Sequence, residues 1–186
     1  VDNSAQPSSR WYTGSGIYRK VWLETTTDIA VDHWGSFVST PRVDREEALI
    51  NVQSSFLNTS GRDQRVELVY EIYDAAGKLV KRNAATGNFL LGKGNTKHTA
   101  SISLLKPQLW SVDSPYLYKA VTKVIQKGKL LDRYETTFGI RTFRFDAKTG
   151  FYLNEKPLKI LGVCQHHDMG ALGAAVNIRA IERQLE

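Results

Sequence analysis

The chain has 186 residues, room for one good core with flanking pieces. Its 41% hydrophobic and 24% charged residues are ordinary for a globular chain, and its single cysteine, Cys164, excludes an internal disulfide framework. No apolar run approaches the roughly 20 residues of a membrane-spanning helix. The net charge of +6 comes from dispersed basic residues, often beside acids as in Arg42-Val43-Asp44-Arg45-Glu46-Glu47, which argues against a nucleic-acid surface.

The first nine residues are polar and are expected to be poorly ordered on their own. Arg10 to Thr25 is dense in aromatics, bends at Gly14-Ser15-Gly16, and then shows a strand pattern through Tyr18, Val21 and Leu23. From Asp28 to about Arg141 short strands alternate with turn signals. Ile50, Val52, Ser54 and Phe56 alternate with Asn51, Gln53 and Ser55, a strand with one dry face that Asn58-Thr59-Ser60-Gly61 ends. Val66, Leu68, Tyr70 and Ile72 predict a second such face, closed by Asp74-Ala75-Ala76-Gly77. Leu79–Thr86, His98–Leu104, Leu117–Ile125 and Leu130–Thr137 continue the series, with Gly128-Lys129 as a tight hairpin turn. Seven or eight short strands with no long helical period predict an all-β fold, an immunoglobulin-like or fibronectin-like antiparallel sandwich. Trp110 is expected to plug one end of it, and Tyr116 or Tyr118 to bond backbone at a corner.

After Arg141 the texture changes. Thr142–Phe145 and Phe151–Leu153 read as short strands, the second meeting Leu158–Leu161 across the turn Asn154-Glu155-Lys156-Pro157. Lys159–Val163 predicts a buried strand, and Asn177 a cap for a helix with Ile178, Ile181 and Leu185 on one face. Strand, loop and helix start make a truncated first β/α unit, so the segment is expected to be an excerpt of a larger protein.

One polar cluster stands where chemistry belongs: Gln165-His166-His167-Asp168, at the C-terminal end of the last strand. Neighbouring histidines on an extended strand face opposite ways, which argues against a shared metal ion. Asn154-Glu155 has the look of a sugar-cleaving acid/base pair but sits in a hairpin turn and is read as turn chemistry. Gly170-Ala171-Leu172-Gly173 lacks the fingerprint of a phosphate loop.

Four stretches together resemble glycoside hydrolase family 2 of the β-galactosidase type: RWYTGSGIYRKVWLE (10–24), PQLWSVDSPYLYKA (107–120), FGIRTFRFD (138–146) and GFYLNEKPLKILGVCQHHDMGALG (150–173). That resemblance implies the last strand of a jelly-roll sugar-binding domain at 1–27, an immunoglobulin-like sandwich at 28–141 and the start of a (β/α)8 TIM barrel, the catalytic domain, at 142–186. It implies cleavage of terminal β-D-galactosides with retention by two glutamates roughly 5 Å apart, both lying beyond Glu186, so that this chain alone is inactive and carries no catalytic residue. It assigns one site residue, His166, as a sugar-pocket histidine of the complete barrel. It implies no cofactor or metal on this chain, magnesium or sodium in the barrel, a β-linked sugar as substrate, packing on the barrel and the sugar-binding domain, a homo-oligomer, neither nucleic acid nor membrane as partner, and a periplasmic or secreted location. Other readings are a stand-alone carbohydrate-binding or adhesion module, or a parent acting on β-glucuronides or β-mannosides.

Overall fold

Side chains that alternate with period two settle into strands with one buried face, and the middle of the chain does so. The computed structural model describes residues 16, 17, 19–165, 169, 171–173, 175 and 177–186. In it the chain divides into two compact units, Thr25–Ile160 and Val1–Glu24 with Leu161–Glu186.

In the first unit, β1 (Ile29–Val43), β2 (Glu47–Asn58) and β5 (Gly94–Leu105) form one sheet in the order β1-β2-β5. β3 (Gln64–Tyr73), β4 (Leu79–Leu91), β6 (Tyr118–Gln126) and β7 (Lys129–Phe138) form another in the order β4-β3-β6-β7. Every pairing is antiparallel. The two sheets enclose a core built on Ile50, Val52, Phe56, Leu68, Tyr70, Ile72, Ile102 and Val124. Each large apolar side chain buried in it stabilises the fold by about 1.5–3 kcal/mol. This is the all-β, immunoglobulin-like sandwich that the alternation predicts.

Three details depart from the expected strands. β1 has no readable alternation because two bulges interrupt it, between Val31 and Ser36 and between Ser39 and Arg42. In β3 the outward-facing Val69 and Glu71 are buried as well as the inward face, since Lys123 and Arg82 from the flanking strands lie over Glu71. The β6–β7 turn is centred on Lys127-Gly128, one residue before the expected place, and both have positive φ (49° and 77°) as a two-residue primed turn demands.

A small three-stranded sheet follows within the same unit: β8 (Phe143–Asp146), β9 (Gly150–Leu153) and β10 (Lys156–Pro157), in the order β10-β9-β8. Leu153 pairs with Lys156, so the connecting turn is Asn154-Glu155 alone, tighter by two residues than the sequence suggests. Lys159–Val163 is not a strand. Ile160, Leu161 and Val163 are exposed and no ladder neighbour pairs with them among the described residues, and a strand without partners leaves its backbone groups to water. The expected strand through Val21 and Leu23 is likewise absent among the described residues, for the same reason.

In the second unit, α1 (Ile178–Leu185) starts as predicted: the Asn177 side chain accepts a hydrogen bond from the Ala180 amide at 3.2 Å.

Candidate functional site

Of the cluster that the sequence singles out, His166, His167 and Asp168 lie outside the described residues. Gln165 is described, and its Nε2 donates to Gln184 Oε1 at 2.7 Å. Among the described residues no three His, Cys, Asp or Glu side chains converge on a metal position.

The most organised polar arrangement of the first unit is centred on Asn154. A turn between β9 and β10 needs left-handed backbone at both central residues, and Asn154 (φ 49°) and Glu155 (φ 63°) supply it. Asparagine tolerates that region and carries both donor and acceptor. Its main-chain amide donates to the Thr142 carbonyl at 2.9 Å. Its Oδ1 accepts from the Thr142 amide at 3.0 Å, and its Nδ2 donates to the Trp110 carbonyl at 2.9 Å. Trp110 in turn donates its amide to the Ile140 carbonyl at 2.8 Å.

The Trp110 ring closes the arrangement. It lies against Gly139, where a Cβ would come within 2.9 Å of the Trp110 Cβ, and the Arg141 guanidinium stands 5.4 Å over its face. Trp110 thus packs on the segment that follows β7, while its neighbour Leu109 is the residue that packs against the sandwich core. Both corner tyrosines bond backbone, Tyr118 Oη accepting from the Gln108 amide at 2.9 Å and Tyr116 Oη from the Ala75 amide at 3.3 Å.

These contacts make a joint, not a reaction centre. The Glu155 carboxylate is turned to Arg144, which donates from Nε at 3.2 Å and itself lies 3.5 Å over the Tyr152 ring. An acid/base needs a carboxyl poised to exchange protons near neutral pH. Asp44 and Asp146 are instead held below the usual carboxylate range, Asp44 by the backbone amides of Glu47 and Glu46, Asp146 by the Thr149 hydroxyl and amide. A groove of about 530 Å³ beside the joint, lined by Phe37, Val38, Pro41, Phe138, Arg141 and Phe143, carries no acid.

Two polar groups of the sandwich escaped the sequence reading. Inside, the Tyr70 hydroxyl meets His98 Nδ1 at 2.9 Å, and burial pushes the phenol up to about 12. Burial also holds His98 below the usual imidazole value. On the outer face of β3, burial raises the Glu71 carboxyl, but hydrogen bonds from Lys123 (2.7 Å) and Tyr73 (2.7 Å) outweigh it and leave the group below its ordinary range. Strand alternation marks only inward and outward positions and could not have found a buried ion pair on the outer side.

The sequence model of glycosyl hydrolases family 2 matches residues 33–141. A β-galactosidase of Bacteroides ovatus is 47% identical over 186 residues, all of this chain and 22% of that protein. A putative β-glucuronidase of Formosa agariphila is 32% identical over 175 residues, 94% of this chain and 16% of that protein. Among solved structures, a glycosyl hydrolase family 2 member from Bacteroides cellulosilyticus superposes with a TM-score of 0.86 at 40% identity, covering 95% of this chain and 24% of its own. Bacteroides uniformis β-glucuronidase 2, covalently bound to cyclophellitol-6-carboxylate aziridine, gives 0.82 at 32% identity over 91% and 21%.

Proposed function

Since the chain belongs to glycosyl hydrolases family 2, we propose that it is the non-catalytic central sandwich of a retaining β-galactosidase-like hydrolase acting on terminal β-D-galactosides. The observation that carries this reading is the 47% identity to a β-galactosidase over all 186 residues, against 32% to a putative β-glucuronidase. The sandwich braces, and the joint at Asn154 fixes the hairpin that leads toward the barrel. Hydrolysis with retention needs two carboxyl groups roughly 5 Å apart, one as acid/base and one as nucleophile. Both belong to later barrel strands in this reading, and His166 lines the sugar pocket only in the complete barrel.

The test is hydrolysis of nitrophenyl β-galactoside and nitrophenyl β-glucuronide by the complete gene product and by this chain alone. The expected result is turnover of the galactoside by the complete protein and background from the chain, since positioned carboxylates supply most of the rate. Preference for the glucuronide would replace the substrate assignment. Turnover by the chain that survives further purification would end the non-catalytic reading.

A further inference from the structure

The first bulge of β1 is larger than strand pairing requires. Val31 pairs with Phe56 and Ser36 with Ser54, so the four residues Asp32 to Gly35 stand opposite Ser55 alone. Within it Trp34 takes a left-handed backbone (φ 51°), a conformation that costs a bulky side chain free energy and that marks places shaped for something other than packing. The ring contributes nothing to the core: it is 85% exposed and stacks on His33 at 5.0 Å with planes 24° apart.

The base of the bulge is fixed. Asp32 Oδ1 accepts from the His33 amide at 2.9 Å, and Asp32 Oδ2 accepts from Asn95 Nδ2 at 2.8 Å. Gly35 is pressed so closely that a Cβ would lie 2.6 Å from the Asp32 carbonyl oxygen and 2.8 Å from that of Ser55. An indole is therefore held outward on a rigid mount.

The surface beside it is chemically distinctive. Across the outer face of this sheet the register sets Phe37 beside Gln53 and Thr99, and Ser39 beside Asn51 and Ser101. Phe37 is exposed, and Lys97, beside Ser55, is the charge in this run. The outer face of the opposite sheet is built differently, from Glu71, Arg82, Lys119, Lys123, Arg133 and Glu135 in ion pairs. One face is made for water and ions. The other offers hydroxyls, amides and two exposed aromatic rings.

We propose that Trp34, with Phe37 and the hydroxyl and amide row of β2 and β5, forms an accessory binding surface for a β-linked glycan. The apolar face of a pyranose ring stacks on the indole, and its hydroxyls meet Gln53, Ser55 and Thr99, groups that can both donate and accept. The inference rests on the glycosidase reading only for its choice of ligand class. It differs from a stand-alone module in strength, since one stacking platform on an open face gives weak retention.

The test is a titration of the 186-residue chain, labelled with nitrogen-15, with β-1,4-linked galactotetraose. The expected result is a saturable shift of the Trp34 indole resonance and of the Gln53, Ser55 and Thr99 amides, half complete at about millimolar sugar. Trp34→Gly should weaken binding at least about tenfold, and it should melt no lower than the parent because glycine relieves the left-handed strain. Absence of a saturable shift, or shifts confined to another surface, overturns the proposal. A clear fall in melting temperature for Trp34→Gly also overturns it, because the ring would then be a packing element. Failure here with galactoside turnover by the complete protein leaves the glycosidase reading standing.

Discussion

Asn154 and Trp110, 44 residues apart in sequence, are tied together by a 2.9 Å hydrogen bond from the asparagine side-chain amide to the tryptophan carbonyl. The same asparagine exchanges two hydrogen bonds with Thr142, one through its backbone and one through its side chain. The turn of the hairpin is thus fastened to the end of the sandwich at the point where β7 runs out.

Asn154→Gly keeps the left-handed turn and removes only the side-chain bonds. Two hydrogen bonds with part-buried partners are lost, for an expected cost of about 1–3 kcal/mol. Thermal melting reads the total, and hydrogen exchange should show the Thr142 amide losing protection while Val69 and Val121 in the sandwich centre keep theirs.

Gly139→Ala should be harmful although alanine is among the smallest of side chains. Its methyl group would sit 2.9 Å from the Trp110 Cβ and 3.0 Å from Cγ, so the ring or the strand end must move. Overpacking of this kind costs about 1–3 kcal/mol, read by chemical denaturation.

Much of the fold was legible because burial on one side imposes a period of two. β2, with Ile50, Val52 and Phe56 inward and Gln53 outward, shows the clearest pattern. β1 is illegible because its two bulges shift the phase and turn Phe37 outward where unbroken pairing from Val31 would turn it inward. Asn154 is legible as a turn residue, yet its fastening role depends on Trp110 and Thr142 arriving from elsewhere in the chain, which no local pattern encodes. The 159–163 run looks like a strand because Ile160, Leu161 and Val163 favour one, but a strand exists only where neighbours accept its hydrogen bonds.

Acid should weaken the sandwich in two windows. His98 is held below its unfolded value of 6.5 by burial, so the unfolded chain takes up a proton more readily than the folded one. The neutral ring's stabilising effect is full above 6.5 and declines as pH falls below it through the folded value. Melting temperature against pH should show this decline, and His98→Gln should flatten it.

Glu71 supplies the second window. Its folded carboxyl lies below 4.5, so its contribution is present above that pH and is lost as pH falls through the lower folded value. Glu71→Ala leaves Lys123 facing a buried apolar strand, and an expected cost of about 1–3 kcal/mol follows after discounting for the exposure of Arg82 and Lys123. In that variant the decline below 4.5 should shrink, the remainder coming from Glu135, Asp44 and Asp146, which are also held low, while the one below 6.5 persists.

The proposed division of labour between bracing sandwich and catalytic barrel is tested most directly by trapping the covalent glycosyl intermediate. The complete gene product, inactivated with a 2-deoxy-2-fluoro-β-galactoside, should carry its label on a glutamate outside residues 1–186. A labelled peptide from within those residues would contradict that assignment.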